Sequence, residues 1–467
     1  MKSIKELKDF SMAKAPEKIL LFGEGNFLRA FIGSIVEEMN LSGGYSGSIV
    51  VLQGTPQGLC DLINEQNGVY TVLERGAKNG AAVEKSRVVH AVSRCINPYI
   101  NYDLYLKTAE NPEITTLISN TTEFGIRYEA GVETKLNYPA KLTEWLHTRY
   151  EYFGGEPNKG VCVLPCELID RNGDKLYACV KKYAEDYAYG DEFLNWLETA
   201  CNFCNTLVDR IVSGYPKTEA AELCAKLGYE DNLLDVCEPF LLWVIERGKG
   251  KAEIPPFALS GFDVIVTDDL EFYRTRKVRI LNGSHTASAL AGILAGLETV
   301  EQVVSDKRFK AYLDKFLQTE VIPNIAGDMQ SYAKSVYDRF LNPFLNHRLR
   351  SIALNSVSKY KARVLVSAKD CIKRGYNPII CAFALAALLA YYKNETETGE
   401  EVAEEARYVE RLKAAFGKRT GAVEAALSDV ALWDEDLTAY GEFSKAVEKY
   451  YSDILKLGVY DAMQEVL

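Results

Sequence analysis

At 467 residues the chain is too long for one ordinary hydrophobic core, and 48% hydrophobic with 25% charged residues describes a globular protein of two domains. A net charge of −11 argues against nucleic acid or anionic membrane as the main partner, because their phosphates would be repelled. The eleven cysteines are odd in number and scattered, several inside apolar runs, which fits reduced thiols in the cytoplasm rather than a disulfide framework.

The N-terminal stretch to Lys18 lacks the apolar segment of a secretory leader. Lys18–Phe22 (KILLF) then reads as a short buried strand, followed by Gly23, Glu24, Gly25, Asn26 and Phe27 and an apolar-periodic run to Met39. Strand, glycine turn and helix is the arrangement that cradles a pyrophosphate on helix N-terminal amides. Gly23 permits the turn, Gly25 lets the backbone approach phosphate, and Leu28 stands where a third glycine is usual. Ser48–Gln53 is the second strand. NAD enzymes of this kind end that strand with an acidic residue on the ribose hydroxyls. Here Gln53 takes the place and can bond a hydroxyl, and no Arg or Lys follows before Arg75 to hold a 2′-phosphate, so NAD is the expected cofactor.

Val69–Glu74 and Val83–Val92 suggest an inserted hairpin. Thr115–Ser119, Gly160–Leu164 and Val264–Thr267 complete the strand candidates. Their alternation with helix patterns predicts a parallel sheet covered by helices, with a nucleotide crevice at the carboxyl ends of the strands. Asn120, Thr121 and Thr122 follow one such strand and would lie near the nicotinamide ribose, although they also suit a strand-to-helix cap. Cys201 and Cys204 fall in a helical pattern, and no second pair of matching spacing completes a zinc site, so no metal is expected.

From Glu271 onward strand signals nearly vanish. Ala287–Val300, Lys307–Val321, Asn377–Lys393, Glu401–Ala415 and Phe443–Lys456 carry helical periodicity or composition. The longest apolar run, Pro378–Tyr392, is shorter than the roughly twenty residues that span a bilayer and reads as a buried helix. The acidic run Glu395–Glu405 reads as a solvated turn and helix start. The expected fold is α/β: a Rossmann-like parallel-sheet domain for NAD over residues 1–268, then a mostly α-helical domain for substrate chemistry over 269–467. Substrate would meet the nicotinamide in the cleft between them.

The segment KVRILNGSHTASALAG carries the chemistry. On a regular helix Lys277, Asn282 and His285 fall within an arc of roughly 140° and span about 12 Å of axis. An ammonium, a carboxamide and an imidazole aimed at one pocket suit carbonyl reduction: a proton donor, a donor to the developing alkoxide and a group that holds a neighbouring hydroxyl. A lysine does this at neutral pH only where burial or nearby cations disfavour its ammonium, and Arg274, Arg276 and Arg279 are close enough in sequence to contribute. The same three residues also suit a helix end with a snorkelling lysine and a histidine bonded to backbone. A dinucleotide-binding regulator without catalysis would keep the glycine turn but have no need of the trio.

GEGNFLRAF and Lys-x4-Asn-x2-His together resemble the mannitol dehydrogenase family, the polyol-specific long-chain dehydrogenases. Five further stretches are similar to the branch of that family that reduces tagaturonate, a keto-uronate: SNTTEFGI, YPAKLTEWLHTRY, VLPCELIDRNGDKL, FCNTLVDRIVSGYP and RSIALNSVSKYKARV. The resemblance covers nearly the whole chain. It implies metal-free, NAD-linked chemistry on a small uronate or aldonate, with Lys277, Asn282 and His285 as catalytic residues and Asp209 against substrate hydroxyls. A salt bridge to Arg210 or a helix cap is the other reading of Asp209. Arg350 and Lys359 lie where the family places basic substrate contacts, and a carboxylate needs such a partner, with Arg171 a further candidate. One position departs: Leu168 stands where mannitol-type members carry a second oxyanion asparagine, which leaves Asn172, a backbone amide or Asn282 alone for that task. Fructuronate reductase and mannitol or mannitol-1-phosphate dehydrogenase activities are the alternatives within the family.

Overall fold

The computed structural model describes residues 2–6, 15–78, 81–122, 124–398 and 404–467, with the backbone alone for Lys78 and residues 396–398. It divides into two compact units, Met1–Arg75 with Val83–Glu271 and Gly76–Ala82 with Phe272–Leu467.

Six parallel strands form the main sheet of the first unit: β1 (Glu17–Phe22), β2 (Ser48–Leu52), β3 (Val92–Ile96), β4 (Thr116–Ser119), β5 (Cys162–Pro165) and β6 (Asn202–Phe203). They lie in the order β3-β2-β1-β4-β5-β6. Successive strands step outward in opposite directions on either side of β1 and β4, and that reversal opens a crevice at their carboxyl ends. Helices cover both faces. Ile19 and Leu21 of β1 pack with Phe31, Ile35 and Met39 of α1, whose helical turns run Asn26–Leu28, Arg29–Gly33 and Ser34–Leu41. Leu20 and Phe22 point the other way, to Leu142 and Trp145 of α2 (Tyr138–Tyr152). A strand buried on two sides needs apolar residues at every position, which is why KILLF shows no alternation.

Two strand expectations shift. Asp263–Thr267 does not join the main sheet; it pairs in parallel with Leu242–Glu246, which in turn pairs antiparallel with Asn205–Asp209. Cys201 and Cys204 are not helical. Helix α3 (Asp191–Thr199) ends before them, and they flank β6, both buried. The expected hairpin is present as Tyr70–Lys78 and Ala81–Val89, in one four-stranded sheet with Val212–Gly214 and Asp235–Cys237.

Among the described residues, the second unit is helical from Phe272 onward apart from an isolated bridge between Thr299 and Arg348; its described residues in Gly76–Ala82 belong to the hairpin. Its named helices are α4 (Leu270–Arg276, Lys277–Asn282 and Gly283–Leu294), α5 (Gln330–Phe340), α6 (Ser356–Tyr360, Lys361–Leu365 and Val366–Lys373), α7 (Ile379–Thr398) and α8 (Gly441–Leu457). Ile380–Tyr392 of α7 is buried throughout, packed by α4 and α8. Such an all-round apolar helix must have its N-terminal amides satisfied inside the protein. Buried Glu320 does this, accepting from the amides of Ile380 and Cys381 at 2.8 Å each. No helix among the described residues is long and apolar enough to cross a membrane. The Ala287–Val300 pattern divides, α4 ending at Leu294 and a new helix, capped by Thr299, starting at Val300. Parts of Glu395–Glu405 and Glu401–Ala415 lie outside the described residues; beyond them a helix runs Ala406–Phe416.

Candidate active site

In the first unit the glycine turn closes the carboxyl end of β1. Gly23 has φ +119°, and a Cβ there would stand 3.2 Å from the Asn120 carbonyl oxygen, so the position admits little else. Gly25 is exposed, with open space where a side chain would project. The first amides of α1 follow directly, and this open cradle at a helix start fits a pyrophosphate. Asn26 is exposed and Phe27 half-buried, stacked on Phe31 at 5.0 Å. Arg29, buried, braces the turn by donating to the Glu24 carbonyl (2.9 Å) and to Asn26 Oδ1 (2.8 Å). Arg29–Gly33 is a π turn, which displaces carbonyls from their usual helical partners. The Arg29 carbonyl is taken by the Tyr70 hydroxyl (2.9 Å) and the Ala30 carbonyl by Arg210 (2.8 Å).

Behind Arg29 lies Asp235, fully buried, 3.5 Å from its guanidinium. Burial pushes the Asp235 carboxyl up to about 7, with Arg29 and Arg210 pulling it back. A carboxyl raised on folding holds its proton more tightly in the native state, so its contribution to stability is full below about pH 4 and is lost as pH rises through 7. Asp235→Asn, which stays neutral, is therefore expected to gain about 2–4 kcal/mol relative to the parent between pH 4 and pH 8. Urea unfolding at both pH values checks this, and equal differences at the two would remove Asp235 as the source.

Beside the turn, a cavity of about 130 Å³ is lined by Gly23, Gln53, Thr121, Tyr138 and Lys141 among others. Gln53 has a different task from the ribose contact expected. Its amide nitrogen donates to the carbonyls of Thr55 (2.9 Å) and Pro56 (3.3 Å), and its oxygen accepts from the Cys60 amide (3.1 Å), so the side chain is spent on its own loop. Asn120 is half-buried. Thr121 gives both its amide and its hydroxyl to Glu167 at 2.9 Å, and Thr122 has a left-handed backbone, φ 78°. The three form a pinned loop rather than a helix cap. Glu167, buried, is itself pushed up by desolvation, which those hydrogen bonds oppose.

Leu168 is 72% exposed. Asn172 has its side chain engaged inside the protein rather than held out toward an oxyanion or a substrate hydroxyl. It is 1% exposed, its nitrogen donates to the Pro165, Glu167 and Thr206 carbonyls, and its oxygen accepts from the Gly173 and Thr206 amides. Asp209 is buried at the end of a strand, which removes the helix-cap reading, while Arg210 bonds Glu74, the Glu238 carbonyl and the Ala30 carbonyl.

In the second unit, Lys277–Asn282 is also a π turn, closed by the Gly283 amide on the Val278 carbonyl. A π turn holds one extra residue, so positions five apart take the places that positions four apart have in an α-helix. Lys277 and Asn282 thus share a face more closely than regular helix spacing gives. Both are half-buried, as is His285. Arg276 stacks over Tyr332 (4.2 Å) and Arg279 pairs with Asp370 (2.5 Å), so their charges are engaged. His285 lies against Phe340 (4.3 Å between rings) and His347 (5.0 Å), gathering two of the four histidines. Burial and Arg339 hold His347 below the usual imidazole range.

Helix α6 packs against the same stretch, and a Cβ on Gly283 would stand 3.5 Å from the Arg363 carbonyl. Arg363 donates to Thr286 Oγ1 (3.2 Å) and Lys359 to the Ile352 carbonyl (2.9 Å). Burial lowers both cations, and Arg363 lowers Lys359 further against the pull of Glu404. Arg350 is 62% exposed and 3.6 Å from Glu395; Arg171 is exposed and pairs with Asp174 and Glu246.

The description "Mannitol dehydrogenase Rossmann domain" matches residues 17–258, and "Mannitol dehydrogenase C-terminal domain" matches 269–455. The chain belongs to the mannitol dehydrogenase family. It is therefore an NAD-dependent oxidoreductase acting on CH–OH groups. It is 39% identical over 473 residues to an altronate oxidoreductase of Cronobacter sakazakii, covering 98% of each chain. To an altronate oxidoreductase of Escherichia coli it is 38% identical over 475 residues, again 98% of each. In fold it is similar to substrate-free D-sorbitol dehydrogenase (TM-score 0.83, 23% identity, 97% of this chain and 96% of that one). A second likeness is to Pseudomonas fluorescens mannitol 2-dehydrogenase, solved with NAD and D-mannitol (0.70, 22%, 98% and 95%).

Sequence reading missed Glu24, Lys141, His347 and Arg363. A signal existed for two. Lys141 interrupts the apolar stripe Tyr138, Leu142, Trp145, and His347 is one of only four histidines.

Proposed function

We propose that the chain reduces tagaturonate to altronate, reversibly, in hexuronate (galacturonate) breakdown in the cytoplasm. The full-length likeness to altronate oxidoreductases carries this reading. NADH, when bound, supplies the hydride that adds to the ketone carbon. The Lys277 ammonium gives a proton to the ketone oxygen and takes it back in the oxidation direction. Asn282 donates a hydrogen bond to that oxygen as charge builds on it, and His285 holds an adjacent hydroxyl. Lys359, with Arg363, holds the carboxylate; their half-burial and mutual repulsion support this, with Arg363 fixed on Thr286. Asp209 bonds further hydroxyls. The division of labour places cofactor binding in residues 1–268, with Gly23, Gly25, Asn26, Phe27 and the Asn120–Thr122 loop, and substrate chemistry in 269–467. The eleven unpaired cysteines support a reducing compartment.

The purified protein is expected to oxidise NADH at least about 100-fold more efficiently, in kcat/KM, with tagaturonate than with fructuronate or fructose. Equal or greater efficiency with either competitor would transfer the assignment to that sugar.

A further inference from the structure

The cofactor's adenosine ribose lacks its usual acidic partner, because the residue at the end of β2 is Gln53 and its carboxamide is consumed by the loop it begins. A carboxylate nevertheless reaches that strand end from elsewhere. Glu24 lies inside the phosphate turn, between two glycines, where a negative side chain facing the pyrophosphate would be repelled. It turns away instead. Its Oε2 accepts from the Gly54 amide at 2.8 Å, the residue is 9% exposed, and a Cβ on Gly58 would fall 2.2 Å from its Oε1. Gly58 is thus the residue that leaves room for it. Among the described residues no ion pair engages this carboxylate.

The loop it touches is fixed from the other side. Lys141, 5% exposed, donates to the Tyr99 hydroxyl (3.1 Å), and that hydroxyl donates to the Gly54 carbonyl (2.7 Å). The Gly54 residue is held at both its polar groups, with Glu24 at one end of the chain and Lys141 at the other. Burial pushes the Lys141 ammonium down to about 8, and Glu24 pulls it back.

We propose that Glu24 is the cofactor-selecting residue: its carboxylate accepts from the adenosine ribose hydroxyls of NAD(H) and repels the 2′-phosphate of NADP(H). The role normally held at the end of the second strand is moved into the glycine turn. This inference rests on the dinucleotide reading of the turn and is independent of the sugar substrate, so it is tested by cofactor binding alone.

The experiment titrates the parent protein and Glu24→Gln with NADH and with NADPH, following cofactor fluorescence without any sugar. Loss of a charge-assisted acceptor and of like-charge repulsion is expected to weaken NADH about tenfold and tighten NADPH about tenfold, a change in preference of about 100-fold. Glu24→Asp, which keeps the charge but shortens its reach, is expected to weaken NADH while still rejecting NADPH. A preference within about threefold of the parent in Glu24→Gln melting at the parent temperature overturns the proposal. So does a Glu24→Asp variant that gains NADPH as strongly as Glu24→Gln.

Discussion

Lys277→Ala is expected to lower kcat for tagaturonate reduction by about 10³-fold, within the range a positioned general acid contributes, while NADH affinity and melting temperature stay near the parent values. The expectation comes from the local backbone. A lysine that only snorkelled from a helix end would need no particular partner. Here it opens a π turn, a backbone form rare in proteins and concentrated at functional sites, and the turn brings it onto the face of Asn282. Asn282→Ala should cost about 10²–10³-fold by removing one donor to the developing alkoxide. The two losses are expected to combine to less than their product, as for any two groups that serve one oxygen. Added primary amines should restore part of the Lys277→Ala rate by supplying the missing proton. Near-parent turnover in Lys277→Ala, with no response to amines, would sink the assignment.

The π turn also marks where sequence reading stops. Helix periodicity assumes 3.6 residues per turn, so it spreads Lys277 and Asn282 over a wider arc than the π turn gives. The glycine turn was legible because Gly23 must take a positive φ, and the buried strands were legible because β1, β2 and β4 are apolar on both faces. Polar residues fared worse, since sequence shows a donor without showing whether it is spent. Gln53 and Asn172 looked available and are saturated by backbone groups, whereas Glu24, given no role in the turn, reaches a neighbouring strand end. Cys201 and Cys204 read as helical because apolar spacing continues past the real helix end at Thr199; the following Asn202–Phe203 pairs with β5 instead. Long-range pairing of that kind has no local signature.

Lys359→Met is expected to raise KM for tagaturonate by about 100-fold and KM for fructose by less than about threefold, since only the first carries a carboxylate. Arg350 and Arg171 provide the comparison. Both are exposed and each already faces acidic side chains, so their fields are screened, and Met at either position should change KM for tagaturonate by less than about threefold. Lys359 and Arg363 are half-buried in a protein of net charge −11, and desolvation lowers both, Lys359 also through Arg363. Glu404 pulls Lys359 the other way, but two half-buried cations that repel each other remain costly, and a bound carboxylate would offset that cost. The pH dependence follows from the same direction of shift. Lys359 sheds its proton at lower pH than a free lysine, so KM for tagaturonate should climb as pH rises toward the ordinary lysine range while KM for fructose stays level. In Lys359→Met that climb should disappear, because Arg363 keeps its charge across the whole interval. A Lys359→Met variant that raises KM equally for both sugars would show that the lysine shapes the pocket without holding the carboxylate.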